Sequence, residues 1–407
     1  MAAPAGPHAG LAPPYGSGTL ADLMPAVLRS MDVGTDRSAP VGDSVGDSAG
    51  AVAPAAVAAV DGLLLEPTSR ACVLLVDGLG DVLLRERAGH APYLRGLLDG
   101  AASLDVGFPT TTATSMGSFG TGLPPGSHGL VGYEVLVPGR DELLNELSWE
   151  TPVDPRTWQP QPTAFEHAVA AGVEVVRIGP GFFDGSGLTE AALRGGRFVA
   201  ASSLDARVDA AITALRSSPR TLVYVYWGDL DKVGHVHGCG SWEWGEELAA
   251  VDLAVRRLVA GLPRDATLFV TADHGMVDVP HSRRLDVAQE PDLAAGVRHV
   301  GGEPRAPQLY CEPGYAEAVA RAWAERLDGR ADVQTREQAV AAGWFGPVAP
   351  HVLERIGDVV VSCGPDLAVV DSRRHRPELL ALVGLHGART PAEWRVPLLT
   401  VRGPGRG

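Results

Sequence analysis

"ACVLLVDGLG", Ala71 to Gly80, is an unbroken apolar run that stops at Asp77 and a glycine-bounded turn. A run without polar alternation suits a strand buried on both faces, as in a parallel sheet. The design recurs downstream. "GVEVVRIG" (Gly172 to Gly179), "TLVYVYWGDLD" (Thr221 to Asp231) and "TLFVTADHG" (Thr267 to Gly275) are also apolar runs closed by polar residues or glycine. Helical patterns lie between them, such as "EELAAVDLAVRRLVAGL" (Glu246 to Leu262). This alternation predicts an α/β fold, a central and mostly parallel sheet flanked by helices on both faces. Such sheets bind ligands beyond the carboxyl ends of their strands. Asp77, Asp231, Asp273 and His274 all fall there.

Outward from these strands the chain divides unevenly. Residues 1–14 are rich in Ala, Pro and Gly and are expected to be disordered. Residues 15–31 are expected to hold a short helix, because "GTLADLMPAVLRSM" spaces its apolar residues helically. Residues 32–60 carry the imperfect repeat "VGDSVGDSAG" and read as a low-complexity linker. Residues 61–407 read as one core domain, interrupted at about 280–357 by a small α+β cap insertion. Within it lie "VRHVGGE", "PQLYCEPG", "YAEAVARAWAERL" and "DVQT". "GDVVVSCG" and "DLAVVD" are then expected to return the chain to the core.

A formal charge of −15 argues against a nucleic-acid surface, which would be basic. It leaves a small phosphate substrate open, because bound cations reverse the local sign. Cys72, Cys239, Cys311 and Cys363 form no CxxC pair and read as reduced thiols. The N-terminus lacks a signal-peptide pattern, and no apolar run reaches membrane-spanning length. A cytoplasmic protein without a membrane partner is the expectation.

The chemistry gathers at strand ends. "DLDKVGHVHG" sets Asp231 and His235 one helical turn apart, on one face. "ADHG" supplies Asp273 and His274, and "GLHGART" supplies His386. Singly, each has an ordinary structural role as cap, turn former or hydrogen-bonded histidine. Together they provide enough Asp and His donors for two divalent cations, the arrangement that holds both oxygens of an in-line displacement at phosphorus. "FPTTTATSMGSFGTG", Phe108 to Gly122, adds a dense row of hydroxyls at a helix start, beside free backbone N–H groups. An alcohol there needs a metal to become a nucleophile at neutral pH. The chain has no Walker A motif and no GxSxG elbow. His237 and Cys239 are expected to support the ligands beside them or to pack in their loop. Trp149, Trp158, Trp344 and Phe345 are expected to pack, with the lining of a pocket that stacks a base or alkyl group as the alternative.

The order Asp77, "FPTTTATS", "DLDKVGH", "ADHG" and a late "HG" resembles the alkaline phosphatase superfamily, above all its nucleotide pyrophosphatase/phosphodiesterase branch. The resemblance runs from about Cys72 to the C-terminus and includes "TGLPPGSHG", Thr121 to Gly129. It implies an alkaline-phosphatase-like fold and hydrolysis of phosphodiester or pyrophosphate bonds through a phospho-threonine. It assigns Thr112 as the nucleophile. Asp77, Thr112, Asp273 and His274 would hold one divalent ion, and Asp231, His235 and His386 the other. Zn²⁺ is favoured, with Mn²⁺ or Fe as alternatives. The expected substrate is a small phosphate ester or nucleotide. One departure stands out. The family's Thr-Phe-Pro-Asn, whose Asn binds a phosphate oxygen, is here Thr112 to Ser115. Ser115 offers a shorter donor, with Asn145 or Lys232 as substitutes. The same superfamily also holds phosphomonoesterases, phosphonate hydrolases and phosphomutases. From another class, a non-catalytic metal-stabilised binding protein is the remaining alternative.

Overall fold

A computed structural model describes residues 12–34 and 63–404. Most of the segments expected to be a disordered N-terminus and a linker lie outside the described residues. Seven strands form the main sheet: β1 (Arg70–Val76), β2 (Ala102–Asp105), β3 (Glu174–Gly179), β4 (Arg197–Ala200), β5 (Thr221–Trp227), β6 (Ala266–Thr271) and β7 (Arg395–Arg402). Their order across the sheet is β2-β7-β6-β1-β5-β3-β4. β1 pairs in parallel with β5 and β6, and β3 pairs in parallel with β5 and β4. β7 runs antiparallel to both of its neighbours. The α/β class with a mostly parallel sheet is therefore what the chain adopts.

The central position of β1 explains its composition. Leu74 stands between Val225 of β5 and Val270 of β6, and Ala71 to Val76 are all buried. No edge and no face of this strand meets water, so an alternating pattern would leave polar groups unsolvated. The register also aligns the strand ends: Val76 faces Trp227, and Leu75 faces Thr271. The residues that follow, Asp77, Gly228 to Asp231, and Asp273, consequently emerge side by side.

The helix Leu20–Ser30 lies within the main core. Leu20, Leu23, Met24, Val27 and Leu28 are buried and form its inward face. Thr19 and Asp22 make a capping box at its start, where the Asp22 carboxylate accepts the Thr19 N–H at 2.8 Å.

The inserted region builds a second, wholly antiparallel sheet. Its order is Val297–Glu303, Ala306–Cys311, Val359–Cys363 and Ala331–Thr335. A separate core with Leu309, Trp323 and Val361 lies beneath it. "GDVVVSCG" thus joins the insertion rather than the main sheet, and Ala368–Val370 pairs with Arg284–Asp286. The insertion is accordingly longer than its pattern suggests, and the chain rejoins the main sheet at β7. A short run buried on both faces reads alike in either sheet, so only its pairing decides. At the hairpin tip, Arg305 grips Glu393 with two hydrogen bonds of 2.9 and 2.6 Å, both side chains fully buried. Glu393 also accepts the Ala388 N–H and the Thr390 hydroxyl, so the insertion is fastened to the loop that follows His386. Among the described residues, no helix is long and apolar enough to cross a membrane.

Candidate active site

The site is built on the ends of β1, β5 and β6. Gly78 adopts φ +74°, and a β-carbon there would sit 3.0 Å from the Cα of Asp231. Glycine at this turn lets the two strand ends approach. The N–H groups of Gly78 and His274 donate to Asp273 Oδ1 at 3.2 and 3.0 Å. That leaves Asp273 Oδ2 buried without a partner. Asp77 repeats the device: its Oδ2 accepts the Tyr226 hydroxyl, and its Oδ1 is a buried orphan. Asp231 lies in the first turn of the helix Asp229–His237, again with an unpartnered buried Oδ1.

The ligand atoms form two groups, Asp77–Asp273–His274 and Asp231–His235–His386, each within 4.8 Å of one another. His274 Nε2 lies 3.4 Å from Asp77 Oδ1 and 3.5 Å from Asp273 Oδ2. His235 Nε2 lies 3.3 Å from Asp231 Oδ2, and His386 Nε2 lies 3.9 Å from Asp231 Oδ1. All three imidazoles are held the same way. Nδ1 donates to a carbonyl: Gly384 O at 2.7 Å for His235, Gly275 O at 3.1 Å for His274, and Thr110 O at 2.8 Å for His386. This fixes the tautomer and turns each Nε2 lone pair into the site. His274 and His386 stack at 3.7 Å between centroids.

The electrostatics point to cations. Burial pushes the Asp77 carboxyl well above its ordinary range, and the charges of Asp273 and Asp231 add to this. Burial likewise raises Asp273, although His274 opposes the shift. Burial, then His274 and His235, hold His386 well below the ordinary histidine value. Three convergent carboxylates with orphaned oxygens, facing the Nε2 atoms of three imidazoles, are unfavourable without positive charge and suit divalent ions of the Zn²⁺ type.

Thr112 opens the helix Thr112–Thr121, and its Oγ1 lies 3.2 Å from His274 Nε2. The loop before it is laced to the His386 loop. Thr110 N–H donates to Gly387 O, Gly387 N–H donates to Thr110 Oγ1, and Thr110 Oγ1 donates to Ala388 O, at 3.0, 3.0 and 3.1 Å. Thr111 occupies the N-cap position, yet its side chain does not cap the helix and faces Glu303 instead. The first N–H groups of the helix are therefore not covered by their N-cap side chain. Glu303 is buried, with no well-formed hydrogen bond to either oxygen.

The residues suggested for substrate oxygens are otherwise engaged. Ser115 donates to the Asp273 carbonyl at 2.7 Å and is fully buried. Asn145 lies in the short strand Leu143–Asn145, where its Oδ1 accepts the N–H groups of Leu147 and Ser148. Lys232 is exposed on the helix with Asp231. His237 stands near Glu243 at the helix end, and Asp278 accepts the Cys239 N–H. Trp344 and Phe345 pack edge-on against Phe108, and Trp158 lies under Arg355. Sequence reasoning missed Tyr226 and Glu303. Tyr226 is embedded in an apolar strand and reads as core. Its alternation with Trp227 at the end of β5 was the one available signal. Glu303 carries no motif at all.

The profile of the family "Type I phosphodiesterase / nucleotide pyrophosphatase" matches residues 71–389. Murine ectonucleotide pyrophosphatase / phosphodiesterase 5 superposes with a TM-score of 0.66 at 18% identity, over 81% of this chain and 87% of that one. Phosphonoacetate hydrolase from Sinorhizobium meliloti, in complex with phosphonoformate, gives 0.64 at 21% identity, over 83% of this chain and 90% of that one. At these identities the two structures speak for the fold, which is alkaline-phosphatase-like. The profile speaks for descent: the chain belongs to the type I phosphodiesterase / nucleotide pyrophosphatase family, a family of metal-dependent phosphoric ester hydrolases.

Proposed function

We propose that this protein cleaves phosphodiester or pyrophosphate bonds of small phosphate esters or nucleotides through a covalent phospho-threonine at Thr112. The observation that carries the proposal is the Thr112 hydroxyl, at a helix start and 3.2 Å from His274 of the Asp77–Asp273–His274 group. Asp77, Thr112, Asp273 and His274 would hold one cation, and Asp231, His235 and His386 the other. When bound, the two ions supply the charge that lowers the hydroxyl pKa and neutralises the phosphoryl oxygens. Thr112 Oγ1 forms a bond to phosphorus as the bond to the leaving oxygen breaks, and that oxygen takes up a proton. Water then cleaves the threonine ester, releasing the phosphate product and restoring the hydroxyl. The uncapped helix N–H groups orient the non-bridging oxygens. Ser115 supports the Asp273 main chain, and Asn145 shapes the turn that follows its own strand. We assign Zn²⁺ to both positions and a cytoplasmic location, the latter on four buried free thiols.

The fold likeness to a phosphonoacetate hydrolase supports a second reading, hydrolysis of a phosphonate or a phosphomonoester. An inactive form of murine ectonucleotide pyrophosphatase / phosphodiesterase 5, which superposes with a TM-score of 0.64, is in complex with AMP, which favours the first reading. Turnover of bis-p-nitrophenyl phosphate, p-nitrophenyl phosphate and phosphonoacetate by one metal-analysed preparation separates the readings. Preference for the diester supports the first reading, and preference for either other compound supports the second. Two bound metals with no turnover of any substrate would identify a binding protein.

A further inference from the structure

We infer that residues 12–34, which precede the family-matched region 71–389, form a strap that positions the nucleophile, with Tyr15 as its positioning residue. The inference rests on the assignment of Thr112 as nucleophile. The strap touches both ends of the helix that carries it. At the leading end, the Tyr15 hydroxyl donates to the Trp344 carbonyl at 2.8 Å and accepts the Phe108 N–H at 3.4 Å. Phe108 stands four residues before Thr112, and its ring packs against Trp344 and Phe345. The Arg389 guanidinium, three residues past His386, lies near the same hydroxyl. The segment holding the nucleophile, the insertion and the His386 loop therefore meet at one phenol.

At the trailing end, the helix Leu20–Ser30 packs beside Thr112–Thr121, and a β-carbon on Gly122 would lie 2.6 Å from Pro25 Cγ. Between the two ends, Asp105 N–H donates to Gly18 O at 3.0 Å, which ties the strap to edge strand β2. The apolar helix explains why the strap stays in place, but it does not need the Tyr15 hydroxyl to do so. That hydroxyl satisfies a donor and an acceptor on two different segments. Without it, Phe108 and Trp344 lose their common anchor, and the loop ending at Thr112 gains freedom. Rates of reactions between positioned groups respond steeply to displacements of about 1 Å.

The test is Tyr15→Phe in the full chain, which keeps the ring and its packing and removes only the hydroxyl. We expect kcat per metal-loaded enzyme to fall about tenfold. KM, metal content and the melting temperature should stay close to wild type. A purely structural tyrosine would lower the melting temperature or the folded fraction and leave kcat per loaded site unchanged, and that result overturns the inference. Tyr15→Leu, which removes ring and hydroxyl together, should lose at least as much kcat. A Tyr15→Leu protein with wild-type kcat also overturns it. Thr112→Ala, assayed beside them, separates the two claims. If Thr112→Ala remains active, the nucleophile assignment fails. If it is inert while Tyr15→Phe is unaffected, the strap alone fails.

Discussion

The imidazoles of His274 and His386 stack with centroids 3.7 Å apart and planes inclined by 18°, although the two residues belong to different ligand groups. The two candidate metal positions thus share a wall. His386→Ala should release the cation of Asp231 and His235 first, so bound metal should fall from two equivalents toward one, with kcat lower by roughly 10²-fold. Metal analysis after gel filtration, together with the rate, checks this. Full occupancy at a normal rate would mean that another side chain is the ligand.

Thr112→Ala should fold, bind both metals and lose turnover by roughly 10³-fold or more, because no other described hydroxyl occupies its position. Thr111→Ala should lose far less. Rapid quench with a labelled diester should trap the label on Thr112 in the wild type. Label on Thr114 or Ser115 would shift the register of the motif.

Tyr226→Phe removes the donor that holds Asp77 Oδ2 and so frees the carboxylate to rotate. Partners of this kind are typically worth 10- to 100-fold in metal affinity. The expected result is weaker retention of the metal at Asp77, Asp273 and His274 in a chelator competition, with activity restored by excess Zn²⁺. Retention equal to wild type would show that burial alone orients Asp77.

His128 predicts a pH dependence away from the metals. Its Nδ1 accepts the Leu130 N–H at 3.1 Å, and its Nε2 faces the Ser118 hydroxyl at 3.1 Å. Protonation would set two N–H groups against each other. Burial, then Arg355, push its pKa from 6.5 down to about 3. The unfolded chain therefore binds a proton below pH 6.5 that the folded chain refuses. The contribution is fully present above pH 6.5 and falls by at most about 1.4 kcal/mol per pH unit as the pH drops toward 3. His128→Gln should flatten this acid limb in urea titrations by about one proton, while lowering stability at neutral pH. An unchanged limb would locate the acid sensitivity elsewhere.

What the sequence reveals follows from what each residue must do. Asp77, Asp231 and Asp273 stand out as a set, because a cap or turn former explains one carboxylate after an apolar run but not three. Asp231 and His235 stand out through helical spacing. Thr112 is recognisable only through the family resemblance carried by "FPTTTATS", since its neighbours carry the same hydroxyl. Tyr226 and Glu303 are hidden because each acts across the fold on a residue distant in sequence. The helix Leu20–Ser30 shows an apolar stripe, and a stripe states that a face is buried without naming what covers it. Val359–Cys363 is misread for the same reason: strand composition records burial, whereas sheet membership is a matter of partners.

The Arg305–Glu393 pair sets a rule for exchanging parts between relatives. One charge comes from the insertion hairpin and the other from the turn after His386, so neither segment is an independent module. A transplanted insertion lacking the arginine would strand a buried glutamate, at a cost of about 3–5 kcal/mol. Chimaeras of this enzyme should therefore be cut so that residues 297–363 and 386–394 travel together.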